Sequence, residues 1–352
     1  MSRKKGVILS YVGLIIDILS GMIYVPFLLR SLGQAEYGIY SLTTTISSYL
    51  LLLDLGIGNA LVRYMAKYRV NKEDENQSKF YGLSIIFYTA IFLIAVIVGV
   101  ILCLIFPSAF SKGLTVEEIK LAQKLLFVTM LNAGFTLLFV TFSKLLIAYE
   151  KYTAAKLIDM IKVIVRVSGC TLMLVFGAKS LAITIVNLAS TILMGIVTII
   201  YVKSKIKIKP KFKNLQFSFI KEILNYTAFI LLQMIVVQIN TMTDQVLIGA
   251  LVEASAIILG IYAAGAQICQ YFKAIALSVN GIIMPGVVEL VENKATTEDI
   301  YKEFLKISRI LFIILGIIWV GFLINGKYFI ELWAGQDASD AYYVALIIPL
   351  TD

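Results

Sequence analysis

The sequence predicts an all-α protein that crosses a membrane many times. Three observations predict it. Of the 352 residues, 60% are hydrophobic and 15% charged, against about 45–50% and about 25% in soluble domains. The mean hydropathy is +0.90. The apolar residues gather in runs long enough for a helix to cross the hydrocarbon core, which takes about 20 residues. In lipid each backbone N–H and C=O must be satisfied within its own segment, so these runs are helices. They are too long for barrel strands, which need only about 9–11 residues. This composition excludes a disordered chain, a nucleic-acid-binding module and an ordinary cytosolic enzyme.

Spans are expected at 7–29, 38–65, 80–106, 119–148, 157–176, 181–202, 223–250, 256–288 and 304–325, with a tenth starting near 341. The first follows Arg3, Lys4 and Lys5. Its apolar stretch is too long for a secretory signal, contains Asp17 and lacks an A-x-A cleavage site, so it reads as a retained helix. Pro26 and Pro285 fall within spans, where membrane helices tolerate them as kinks. Orientation follows from the basic residues. The N-terminus and every second loop after it hold nineteen Lys and Arg, and the opposite loops hold four: Arg30, Lys112, Lys179 and Lys327. The positive-inside rule places the N-terminus in the cytoplasm.

Between the sixth and seventh spans lies Lys203 to Glu222, KSKIKIKPKFKNLQFSFIKE, with lysines alternating with apolar residues around Pro210. It reads as a basic cytoplasmic linker lying on anionic headgroups. It divides the chain into 1–202, a six-helix lobe, the linker 203–222, and 223–352, a partial second lobe. The halves repeat. Ile8-Leu9-Ser10-Tyr11 matches Ile223-Leu224-Asn225-Tyr226, and Gly38-Ile39-Tyr40 matches Gly260-Ile261-Tyr262, in the same order and at equivalent points. Both halves enter from the same side, so the repeat is parallel, a plan common among transporters. Three complete spans and the start of a fourth follow the linker, so the sequence reads as truncated against an equal second half.

There are no histidines, which removes imidazole metal sites, Ser–His triads and His general bases. Cys103, Cys170 and Cys269 are far apart within apolar runs and read as reduced, buried hydrophobes. Gly321 to Tyr328, GFLINGKY, approaches a phosphate loop. Tyr stands where the Mg²⁺-ligating hydroxyl belongs and no strand precedes it, so nucleotide binding is not expected.

The run Leu32-Gly33-Gln34-Ala35-Glu36-Tyr37-Gly38-Ile39-Tyr40 carries a resemblance. With it go Leu53-Asp54-Leu55-Gly56-Ile57-Gly58-Asn59-Ala60, Arg63-Tyr64, Lys144 to Lys156, Thr243 to Gly249 and Ile261 to Gly265 before Gln267. The chain resembles polysaccharide biosynthesis proteins, the Wzx-type oligosaccharide flippases of the multidrug/oligosaccharidyl-lipid/polysaccharide exporter superfamily. The resemblance covers essentially the whole chain. It implies two pseudo-repeated helical lobes in a V around a central cavity, the second incomplete here. It implies flipping of an undecaprenyl-pyrophosphate-linked glycan to the outer leaflet of the bacterial cytoplasmic membrane. It also implies a polysaccharide polymerase and glycosyltransferases as partners beside the lipid bilayer. No covalent bond is made or broken, no cofactor is needed, and proton or sodium coupling is left open.

Charges within the spans are the candidate site, because a charge at mid-bilayer costs about 2.5–3.5 kcal/mol on insertion scales and needs a wet cavity or a partner. Asp159, Lys162 and Arg166 fall within about 60° of one another on a helix, and Arg166 lies about 14 Å deep. Arg63, Lys144, Lys162 and Arg166 would form a cationic cavity for the pyrophosphate, which guanidinium groups grip in a fork. Asp17, Asp54 and Asp159 would balance charge or carry a coupling proton. The competing reading is mutual neutralisation, with the lower lysines reaching the headgroups. Gln233, Gln238, Asn240 and Asp244 on the seventh span, and Gln267, Lys273 and Asn280 on the eighth, suit sugar hydroxyls, or equally interhelical bonding. Two other functions remain open. A cation-coupled drug antiporter of the superfamily would favour acidic walls. A membrane glycan polymerase or acyltransferase would place chemistry on the outer loop near 325–340, where Glu331, Asp337 and Asp340 lie.

Overall fold

A computed structural model describes residues 2–213, 218–292 and 296–351; the side chains of 2–12, 14, 17, 218–230, 278–289, 291–292 and 350–351 are outside the description. Among the described residues the regular structure is entirely helical. The helices are α1 Ser2–Leu32, α2 Gln34–Ser48, α3 Ile57–Val70, α4 Asp74–Phe110, α5 Val116–Ala148, α6 Tyr152–Val175, α7 Ser180–Lys205, α8 Ser218–Leu251, α9 Ser255–Glu292, α10 Thr297–Ala334 and α11 Ala341–Thr351. Among the described residues, seven stretches of these are long and apolar enough to cross a membrane.

Each expected span has a helix at its position, and most helices run further into polar sequence. Acidic side chains extend α4 and α10 at their N-termini, Asp74 and Glu75 in one, Glu298 and Asp299 in the other, where the helix dipole favours them. The longer α10 corrects the outer loop expected at 325–340. Helix continues through Ala334, leaving a short connection around the 3-10 turn Gln336–Ala338. It also carries GFLINGKY in its interior, so no phosphate-cradling loop forms there.

The second span departs from expectation. It is two helices joined by a 3-10 segment, Tyr49–Asp54. The chain then turns through two left-handed residues, Leu55 at φ 51° and Gly56 at φ 72°, before α3 begins. Glycine adopts that conformation without steric cost. The break falls beside Asp54, whose Oδ1 accepts the Tyr88 hydroxyl at 2.5 Å.

The chain forms two compact units, 1–17 with 31–259, and 18–30 with 260–352. These packing units divide the chain elsewhere than the lobe boundary at 203–222, because α8 bonds to α2. Gln245 of α8 accepts from Ser41 at 3.3 Å and Thr45 at 2.5 Å, and Gln238 donates to Ser48 Oγ at 2.7 Å. Among the described residues of the first unit, apolar clusters join the helices. One joins Leu61, Met65, Phe80, Tyr88 and Leu145 of α3, α4 and α5. Another joins Leu42, Phe106, Leu125 and Met130 of α2, α4 and α5. The α4–α5 turn is fixed by a capping box: Thr115 N donates to Glu118 Oε2 at 2.8 Å, and Glu118 N to Thr115 Oγ1 at 3.4 Å.

The segment after α7 is not simply solvated. Ile206 and Ile208 pack against the α3–α5 cluster, while Lys205, Lys207, Lys209 and Lys211 stay exposed. Lys211 N donates to Ser78 O at 3.0 Å. The alternation of lysine and isoleucine thus builds an extended strap with one face on protein.

The second unit packs the later part of α1 with α9, α10 and α11. Trp333 Nε1 donates to Met22 O at 2.7 Å. Arg30 donates to Leu332 O at 2.8 Å, a cation at the C-terminal end of α10 where the dipole favours one. An apolar cleft of about 340 Å³ lies here, walled by Ile18, Tyr271, Phe272, Phe322, Phe329 and Trp333.

Candidate functional site

Helix α6 stands out among the described residues by its charges. It has 24 residues, about 36 Å of helix at 1.5 Å per residue, enough to span. It is not among the seven apolar spans, because any 18 consecutive residues of it include Asp159, Lys162 and Arg166 together. The direction of these charges follows from their neighbours. At 100° per residue, Asp159, Lys162, Arg166, Cys170 and Leu174 lie on one side, within about 60° either way of Asp159. Cys170 and Leu174 are the buried residues of the helix. The exposed Ile161, Ile164, Leu172 and Val175 sit roughly 140–220° away. The charged stripe lies opposite the exposed aliphatic side, in line with buried Cys170 and Leu174; Lys162 is half-buried there, while Asp159 and Arg166 are exposed.

Helix α5 brings Lys144 to this stripe. Lys144, Lys156 and Lys162 all stand near enough to act on the Asp159 carboxylate, with Lys156 Nζ at 3.9 Å from Asp159 Oδ2. Lys162 in turn feels Arg166 and Asp159. Arg166 reaches electrostatically to the Tyr40 hydroxyl, which accepts Asn187 Nδ2 at 3.2 Å. Lys144 Nζ donates to Asn59 Oδ1 at 3.3 Å. A Cβ at Gly58 would lie 3.1 Å from Lys144 Cε and 3.3 Å from Asp54 Oδ1, so the missing side chain leaves the space that both use. Four expected residues, Lys144, Asp159, Lys162 and Arg166, therefore form one group, with Asp54 beside Lys144. Arg63 is exposed on α3, one turn beyond Asn59.

The remaining candidates scatter. Gln238 is bonded to Ser48, whereas Gln233, Asn240 and Asp244 are exposed. Gln267 and Lys273 are half-buried in the second unit. The side chains of Asp17 and Asn280 lie outside the described residues.

Two features were not foreseen from the sequence. Glu36, in the first turn of α2, accepts Ser180 N at 2.9 Å and Ser180 Oγ at 2.6 Å, with Lys179 Nζ at 3.7 Å. It thereby caps α7. The second feature is a polar cleft of about 170 Å³ between α2, α5 and α7, lined by Thr44, Ser47, Ser48, Thr129, Asn132, Thr136, Thr184 and Asn187, with Leu51 and Ala133. The run Ser41-Leu42-Thr43-Thr44-Thr45-Ile46-Ser47-Ser48 was its visible signal.

Comparison with known proteins decides the family. The profile described as "Polysaccharide biosynthesis protein" matches residues 2–291. The chain belongs to this family. A search of curated proteins finds no match. Among solved structures, the fold is similar to "Lipid II flippase MurJ, inward closed conformation", with a TM-score of 0.71 at 19% identity over 97% of this chain and 71% of that one. It is also similar to an outward-facing multidrug resistance MATE family transporter of the MOP superfamily, with a TM-score of 0.62 at 15% identity over 99% and 79%. An inward-facing MATE transporter matches at 0.61 and 12% identity, over 96% and 78%. The family member is thus a multi-pass membrane protein whose fold is similar to those of the MurJ and MATE structures.

Proposed function

We propose that this family member flips undecaprenyl-pyrophosphate-linked oligosaccharide repeat units from the cytoplasmic to the outer leaflet, by alternating access of lobes 1–202 and 223–352. The observation that supports this reading is the α6 stripe: half-buried Lys162 and exposed Arg166 lie opposite the exposed aliphatic side of a helix long enough to span. Lys144, Lys156 and Lys162 act on the one Asp159, and Arg166 acts on Lys162, so the group is set up for an anion. A diphosphate supplies that charge, and a guanidinium at Arg166 can fork two N–H bonds onto it. Asp159 holds the lysines in place between substrates. The family and the MurJ-like fold support a lipid-linked cargo. A drug antiporter would put net negative charge at this point, and the excess of bases argues against it. The protein makes no bond; its work is to hold a polar headgroup away from acyl chains during transit.

The test is reconstitution of the protein with a fluorescent lipid-linked oligosaccharide. Lys162→Gln with Arg166→Gln should abolish translocation and leave insertion intact; unchanged transport refutes the reading. The cytoplasmic N-terminus is tested by a cysteine at Lys207, which should react only from the cytoplasmic side.

A further inference from the structure

We propose that the cleft between α2, α5 and α7 is a hydrogen-bond-accepting subsite that takes the hydroxyl face of one neutral sugar. This deepens the flippase reading and rests on it. The polarity of the cleft follows from where its protons go. Thr44 donates to Tyr40 O at 3.0 Å or Ser41 O at 2.8 Å, Ser47 to Thr43 O at 2.7 Å, and Ser48 to Thr45 O at 2.6 Å. Thr129 donates to Leu126 O at 3.0 Å, Thr136 to Asn132 O at 2.8 Å, and Thr184 to Ser180 O at 2.7 Å. Each hydroxyl has one proton and two lone pairs. With the protons spent chiefly on backbone carbonyls of their own helices, the wall offers lone pairs, less the one on Ser48 that takes Gln238 Nε2 at 2.7 Å and the one on Thr129 that Ser47 Oγ reaches at 2.5 Å.

Asn132 adds a carbonyl. Its Oδ1 is buried and has no hydrogen-bond partner among the described residues. A buried acceptor left this way is costly, so a donor entering the cleft gains more there than at an exposed surface. The Asn187 amide is already used, Nδ2 on Tyr40 and Oδ1 near Cys170 Sγ at 3.6 Å. Acceptor-rich walls suit either a cation or a neutral donor. No charged side chain lines the cleft, and Arg166 acts on Tyr40 at its edge, so the local field opposes a cation. Neutral hydroxyl or amide donors remain. The volume of about 170 Å³ admits about five waters, enough for one face of a single sugar.

The full chain in nanodiscs is titrated with undecaprenyl diphosphate, and with the same lipid carrying one N-acetylglucosamine. Wild type is expected to bind the sugar-bearing lipid more tightly. Asn132→Leu and Thr136→Val are each expected to weaken that binding about fivefold and leave the sugar-free lipid unchanged. Equal losses on both lipids, or no loss on either, overturn the subsite and leave the flippase reading standing. A second arm needs no lipid: Thr136→Cys is labelled with a water-soluble maleimide in free N-acetylglucosamine or in sodium chloride. Protection by the sugar alone supports the subsite. Protection by sodium alone, or none by the sugar, overturns it. Sugar protection with neither lipid bound would overturn the flippase reading and keep the subsite.

Discussion

Replacing Gly82 with alanine should peel the basic strap from the first unit without unfolding it. A Cβ at this buried position would lie 2.1 Å from the Lys211 carbonyl oxygen and 2.9 Å from its carbon. A comfortable C···O approach is about 3.3 Å or more, so the strap must retreat by more than about 1 Å. The obstacle is backbone, which cannot swing aside as a side chain can. Retreat breaks the Lys211 N–H to Ser78 O bond of 3.0 Å, worth about 0.5–1.5 kcal/mol, and loosens Ile206 and Ile208. A loss of about 1–2 kcal/mol raises the open population about 5–30-fold. Limited trypsin digestion at the strap lysines reads that population when reclosing is fast. Meanwhile α4 itself gains helix propensity, about 1 kcal/mol for Gly to Ala, so overall thermal stability should hold or fall by no more than about 1 kcal/mol. Gly316→Ala, with nothing within 4 Å of the new Cβ, is the control. Unchanged strap cleavage in Gly82→Ala would refute the docking.

Three other outcomes are expected. Gly195→Ala places a Cβ 2.3 Å from the Phe139 ring and should cost about 1–3 kcal/mol of thermal stability; adding Phe139→Leu should restore most of it. Glu36→Ala leaves Ser180 N uncapped and should cost about 1–2 kcal/mol, whereas Glu36→Gln, which keeps an acceptor, should lose less in the same melting assay. Hydrogen bonds from Asn76 and Asn71 hold the Glu73 carboxyl below the usual carboxylate range. Its folded value is therefore depressed, so its contribution to the α3–α4 turn is present above the ordinary value of 4.5 and lost as pH falls through the lower one. Amide exchange at the turn, corrected for intrinsic rates, should rise in acid, and Asn76→Ala should move that rise to higher pH.

Much of the fold was legible because the bilayer removes choices: a run such as 80–106 has no conformation but helix. The stripe Asp159, Lys162, Arg166 was legible from helical spacing alone. The break at 49–56 was not, because Leu50 to Leu55 reads as uninterrupted apolar sequence apart from Asp54, and a left-handed Leu55 has no compositional sign. The contacts of Glu36 with Ser180 and of Tyr40 with Asn187 join residues more than 140 positions apart, so only packing creates them. The amides of α8 looked equivalent in sequence. Packing sorts them: Gln245 and Gln238 bond to α2, and Gln233 faces outward.

Whether the charges of α6 face water or lipid is decided by one labelling measurement. A cysteine at Arg166 in the reconstituted protein is offered a charged, membrane-impermeant thiol reagent and, separately, a lipid-soluble one. Reaction with the charged reagent, slowed by undecaprenyl diphosphate, is expected. Reaction with the lipid-soluble reagent alone would contradict that expectation.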